Sequence, residues 1–247
     1  MSEDVVLLHG FGGSARSWEA VRKRLGVPAL ALDLPGHGTA MDRSDLSVGE
    51  ARKFTIAELD RRGIERAHLV GHSRGGAIAF LVAVKAPERI ASLTLLAPGG
   101  FGEEIAADAL TRFAQARTAP KLRDAMNALY HPARPSSRVV EEEAVHREDV
   151  RAVPALQAIC EAMTTNGRQV ALKLELLRDA PFPIHIVWGE KDAVLPVAQA
   201  ERARAALPNA TVSVLADVGH MLPAEVPGRV ADAIRTQFRA NRSLPER

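Results

Sequence analysis

The chain has 247 residues, 47% hydrophobic and 25% charged, with a formal net charge of +2 at pH 7. That balance belongs to a globular protein long enough for one large α/β domain, and it excludes disordered, collagen-like and strongly polyanion-binding chains. The lone cysteine, Cys160, leaves no intramolecular disulfide and fits a reducing compartment.

In chain order, Val5-Val6-Leu7-Leu8 reads as a buried strand running into the glycine-rich His9-Gly10-Phe11-Gly12-Gly13. A helix over Ala15–Leu25 ends at Gly26, a residue suited to the left-handed position beyond a helix end. Its Arg22-Lys23-Arg24 is the one tight basic run, on a surface helix, so no nucleic-acid partner is expected. A strand follows near 29–33, and Ser47 with Glu50 reads as a capping box opening a helix that runs to Gly63. Next come a strand near 67–71, an apolar helix that Pro87 stops, and a strand near 92–97. Residues 103–178 break the rhythm. They hold no convincing strand, and their apolar residues fall at helical spacing: Ile105, Leu110 and Phe113, then Leu122, Met126 and Leu129, then Leu156, Ile159 and Met163. Strands near 184–188 and 211–215 resume the pattern; Pro196 opens the helix between them, and Val230, Ile234 and Phe238 stripe the last helix.

Strands alternating with helices predict an α/β fold with a mostly parallel sheet of about six strands, helices on both faces. The predicted organisation is a core of residues 1–99 and 180–247 with a helical cap over 100–179, hinged at Gly99-Gly100 and Pro181-Phe182-Pro183. Ligands of open α/β sheets bind at the carboxyl ends of the strands, which such a cap would roof. The amino end lacks the basic and apolar regions of a secretory signal. The longest apolar run, Gly75–Val84, is about half a membrane span. A cytoplasmic protein without a membrane partner is the expectation.

Gly71-His72-Ser73-Arg74-Gly75, between strand and helix, carries the chemistry. A serine with glycines two places away on each side fits a turn too tight for neighbouring Cβ atoms, which leaves its hydroxyl clear of the sheet. Asp192, in Trp188-Gly189-Glu190-Lys191-Asp192, and His220, in Gly219-His220-Met221, each lie just beyond a strand. The order Ser73, Asp192, His220 suits a nucleophile, an orienting acid and a general base, and it differs from the order in the two well-known serine protease folds. The Phe11 and Arg74 amides are the candidate oxyanion donors, and Phe11 and Met221 the candidate substrate contacts.

These segments, with Leu32-Asp33-Leu34-Pro35-Gly36-His37-Gly38 and Gly219-His220-Met221-Leu222-Pro223, resemble an α/β-hydrolase of the single-domain, helical-cap type. The stretches from Gly63 to Arg66 and from Leu95 to Gly102 are similar to carbon–carbon bond hydrolases of aromatic breakdown and to the hydrolase-like domain of acetoin-dehydrogenase acetyltransferases. The resemblance is specific for fold and triad and poorly specific for substrate. Members usually carry two strands ahead of the oxyanion loop, so a sheet short at that edge is expected. Arg74 stands where the family more often has methionine, leucine or glutamine. Its guanidinium either favours an anionic substrate or points away to a surface carboxylate.

Other candidates have plainer explanations. His72 reads as a packing or hydrogen-bonding residue, His37 as satisfying local backbone and His9 as ordering the glycine-rich loop, while Asp217 and Asp33 are reserve acids. No residues fall at metal-ligand spacing, no dinucleotide fingerprint follows a strand, and no lysine follows Gly10-Phe11-Gly12-Gly13 as a phosphate loop requires. The expectation is a cofactor-free hydrolase of small esters or thioesters, monomeric or homodimeric. Its alternatives are carbon–carbon bond hydrolysis of a vinylogous diketone, acyl transfer, or, in another class, ligand binding without catalysis.

Overall fold

Short runs rich in valine, isoleucine and leucine and bounded by turn residues are too brief for helices, and at the middle of the sheet they form strands covered on both faces. The computed structural model describes residues 4–42 and 44–242. Its strands are β1 (Asp4–Leu8), β2 (Ala29–Leu32), β3 (Ala67–His72), β4 (Ile90–Leu96), β5 (Thr164–Thr165), β6 (Arg168–Gln169), β7 (Ile184–Gly189) and β8 (Thr211–Leu215). Six of them make one parallel sheet in the order β2-β1-β3-β4-β7-β8. Every residue of β3, β4 and β7 is buried, so the middle of the sheet is the centre of the core.

The helices are α1 (Glu19–Leu25), α2 (Val48–Arg61), α3 (Arg74–Lys85), α4 (Ala107–Gln115), α5 (Ala119–Asn127), α6 (Ser137–His146), α7 (Ala152–Met163), α8 (Ala198–Ala206), α9 (Leu222–Glu225) and α10 (Pro227–Arg242). Gly26 ends α1 at φ 76°, the left-handed cap expected of it. Ser47 caps α2 by accepting from the Glu50 N–H, but the reciprocal half of the predicted capping box is absent. The Ser47 N–H donates to Asp45 instead, and Glu50 pairs with Lys53. An aspartate two residues back is nearer than a glutamate that has an (i, i+3) lysine to satisfy it.

The insertion between β4 and β7 carries α4–α7, whose stripes are buried at Leu110, Phe113, Leu122, Met126, Leu129, Leu156 and Ile159. It also holds a strand pair that the periodicity does not reveal. β5 and β6 form an antiparallel hairpin turned by Asn166 and Gly167, both at positive φ. The Asn-Gly pair is the signal, masked because each strand is only two residues long. The hairpin staples the start of the insertion to its end: Gly100 N–H donates to Gln169 Oε1, and Gly100 O accepts from Leu172 N–H. Among the described residues no helix is long and apolar enough to cross a membrane.

Candidate active site

Ser73 is the single residue between β3 and α3, at φ 52° and ψ −118°. Positive φ in a non-glycine residue is strain, held here by the packing on both sides. Its N–H donates to Leu96 O, and its carbonyl accepts from Gly76, Ala77 and Gly99. A Cβ on Gly75 would lie 2.3 Å from Leu8 O, so a side chain there would push the elbow off β1.

His220 Nε2 lies 2.9 Å from Ser73 Oγ, and its Nδ1 lies 2.8 Å from Asp192 Oδ2. The carboxylate can only accept, so the imidazole proton sits on Nδ1 and Nε2 is free to receive the serine proton. Asp192 Oδ1 accepts from the Val194 and Leu195 N–H groups, and Trp188 Nε1–H donates to Leu195 O, which fixes the loop beyond β7. The sequence therefore named three residues that the fold brings into one hydrogen-bonded line. The reserve acids lie elsewhere. Asp217 is exposed and paired with His131, and Asp33 accepts from the Ala15 N–H and from Thr39.

Two further residues hold the histidine loop. Glu225 accepts from the N–H of Gly219 and of Met221, the neighbours of His220 on either side. Burial raises the Glu225 pKa, partly offset by those N–H groups. His72 Nε2–H donates to His220 O at 2.8 Å, and burial pulls the His72 pKa down to about 3, so it is a neutral hydrogen-bonding residue. The sequence missed Glu225; its one signal was a carboxylate one helical turn after Met221.

The Phe11 and Arg74 N–H groups have no acceptor among the described residues. The Arg74 side chain meets neither expectation. It is 2% exposed, Nη2 donates to Leu46 O, Nε and Nη1 have no partner, and burial lowers its pKa to about 10. It lies behind the elbow, off both surface and cavity, because the first turn of α3 is buried all round.

A cavity of about 240 Å³ opens beside Ser73 and His220, lined by their chain neighbours His72 and Met221 with Phe11, Phe113, Met126, Leu129 and Tyr130. Arg16, Glu19, Arg138, Glu142, Glu143 and His146 also line it. Phe11 and Met221 thus both face it, while Met163 does not. Burial, then the nearby Glu225 charge, pushes the Tyr130 phenol up to about 12. No group of three or more His, Cys, Asp and Glu converges to hold a metal among the described residues.

Comparison with known proteins agrees with this architecture. The model of the "Alpha/beta hydrolase family" matches residues 5–233. The chain is 35% identical over 224 residues to the "Dihydrolipoyllysine-residue acetyltransferase component of acetoin cleaving system" of Cupriavidus necator, covering 89% of this chain but 59% of that protein. It thus spans less than two thirds of that relative. A 2-hydroxy-6-oxononadienedioate/2-hydroxy-6-oxononatrienedioate hydrolase of Paraburkholderia phymatum is 29% identical over 239 residues, covering 88% of this chain and 81% of that one. Among solved structures, the 2-hydroxy-6-oxo-6-phenylhexa-2,4-dienoate hydrolase of Rhodococcus sp. strain RHA1 superposes with TM-score 0.84 at 22% identity, over 96% of this chain and 91% of that one. With a family match across nearly its whole length and a six-stranded parallel sheet to go with it, the chain belongs to the alpha/beta hydrolase family.

Proposed function

We propose that this protein is a serine hydrolase that cleaves small carboxylic esters or thioesters through an acyl–Ser73 intermediate. The observation that carries this reading is the unbroken line Ser73 Oγ–His220 Nε2–Nδ1–Asp192 beside a cavity lined by both apolar and charged side chains. His220 Nε2 takes the hydroxyl proton as Ser73 Oγ attacks the acyl carbon, and Asp192 stabilises the imidazolium. The Phe11 and Arg74 N–H groups receive the tetrahedral oxyanion, where losing one such donor costs about 3–4 kcal/mol. Collapse expels the alcohol or thiol with the histidine's proton. Water then gives His220 a proton as it attacks the acyl–serine, and collapse releases the acid while His220 returns that proton to Ser73 Oγ.

The test is a serine-directed phosphonate together with p-nitrophenyl esters of graded chain length. One adduct should form and map to Ser73. Ser73→Ala and His220→Ala should each lose about 10³- to 10⁶-fold in kcat, the double variant little more, because the two act as one unit. The likeness to dienoate hydrolases supports a second reading, cleavage of a carbon–carbon bond in a vinylogous diketone. Turnover of a dienoate diketone without turnover of any ester selects it. Acceleration of product formation by an added alcohol or thiol selects acyl transfer. No labelling and no turnover leave a ligand-binding protein.

A further inference from the structure

A peptide unit is planar and trans, so the Gly10 carbonyl and the Phe11 N–H point in opposite directions from one rigid plate. The carbonyl side of that plate is held twice: Gly10 O accepts from His9 Nδ1–H at 2.8 Å and from Gly13 N–H at 3.1 Å. The next plate is held by its N–H, with Gly12 N donating to His37 Nε2 at 3.1 Å. Each imidazole is tied at its other nitrogen to one neighbouring loop. His9 Nε2 accepts from Leu34 N–H at 3.0 Å, and His37 Nδ1–H donates to Pro35 O at 3.1 Å. A carbonyl can only accept and a backbone N–H can only donate, so both rings are neutral with the proton on Nδ1. The rings stack edge to face, 4.8 Å apart, and both are buried.

We propose that His9 and His37 are paired positioning residues that clamp the two peptide plates flanking Phe11 and so aim its N–H at the oxyanion. The inference rests on the hydrolase reading above and adds to it the device that keeps one donor in place. The clamp works only with unprotonated rings, since a proton on either Nε2 would set N–H against N–H. Burial holds His9 down at about pKa 4 and His37 well below its usual range. The Arg74 charge opposes protonation of both rings, and His9 opposes that of His37. Asp33 opposes Arg74 at His9, but its carboxylate is already engaged by Ala15 and Thr39. From the insertion, Glu143, His146 and Arg147 line a small cavity with His37. The buried cation that matched neither sequence expectation thus borders the clamp.

His37→Gln keeps an acceptor near the Nε2 position, whereas His37→Leu fills the space without one. With p-nitrophenyl butyrate, His37→Leu should lose about tenfold or more in kcat with KM changed less than about twofold, and His37→Gln should recover most of the loss. A trifluoromethyl ketone, whose hemiketal oxygen uses the same donors, should weaken for His37→Leu by the same factor as kcat. Binding of the product butyrate should not change. Equal activities of the two variants, or a fall in kcat with unchanged ketone affinity, overturns the clamp. If His37→Leu does not fold, nitrogen NMR of the unaltered protein decides: His9 and His37 should both be neutral with the proton on Nδ1 from about pH 5 to 8. The other tautomer at either ring, or protonation in that range, overturns it. That measurement also stands if no substrate turns over, in which case the hydrolase reading fails separately.

Discussion

Ser73 holds a strained backbone conformation at positive φ, and its strain is measurable. Glycine relieves positive φ and alanine does not, while neither has a hydroxyl. Ser73→Gly should therefore be about 1 kcal/mol more stable than Ser73→Ala in urea unfolding, and both should be inactive. Equal stabilities would mean the turn is unstrained. The two acids separate as clearly. Asp192 is buried and splits its oxygens between His220 and two backbone N–H groups, whereas Asp217 faces solvent beside His131. Asp192→Asn should lower kcat about 10³- to 10⁴-fold and Asp217→Asn less than about twofold. Acid stability follows from the buried histidines. His9 and His72 have folded pKa values of about 4 and about 3, below the unfolded 6.5, so the unfolded chain binds more protons on acidification. Their contribution is complete above about pH 6.5 and is lost as pH falls toward 3, each removing at most about 1.4 kcal/mol per pH unit. A Tm that stays constant from pH 7 down to pH 4 would contradict this.

At the scale of elements, α4 meets the glycine-rich loop through one ring. Phe113 packs edge-on to Phe11, with centroids 6.0 Å apart, and the buried Arg147 guanidinium lies 4.9 Å over its face. Arg147, the residue that caps the end of α6, is fixed by Glu143 and by Ala114 O and so ties α6 to α4. Phe113 also stands where a methyl on Gly12 would be, 2.1 Å from its Cε1, and Gly12 is at φ 67°. Phe113→Ala should lengthen the cavity and raise kcat/KM for long relative to short esters while sparing phosphonate labelling of Ser73. Parallel losses across the ester series would show that α4 does not select the chain.

For the whole molecule, one apolar cluster runs from β1 through the sheet into α4, α5 and α7, so the insertion has no separate core. Glu104 makes two 2.7 Å bonds to Arg202, and Gln199 Nε2 donates to Glu104 O, which tie its base to α8. Scanning calorimetry should show one transition. Leu122→Ala in α5 and Leu69→Ala in β3, both fully buried, should each lower the same Tm by several degrees, from about 2–5 kcal/mol of lost packing. A second, lower transition moved only by Leu122→Ala would mean the insertion unfolds by itself.

The sequence determined the six strands, their alternation with helices and the three residues of the Ser73–His220–Asp192 line. Each of these rests on short-range information: apolar periodicity, a glycine-flanked turn, and a polar residue just past a strand. The Asn166-Gly167 hairpin was missed, its one signal being the turn, because two-residue strands carry no period. Tertiary structure alone decided the rest, since those features are contacts between segments far apart in the chain. The Glu225 brace on both sides of His220, the clamp of His9 and His37 around Phe11, and the burial of Arg74 behind the elbow all depend on which loops the parallel sheet brings side by side. A charge looks the same in sequence whether it faces solvent, substrate or core. Only packing sets its desolvation, and with it whether Arg74 meets a ligand, a carboxylate or a carbonyl oxygen.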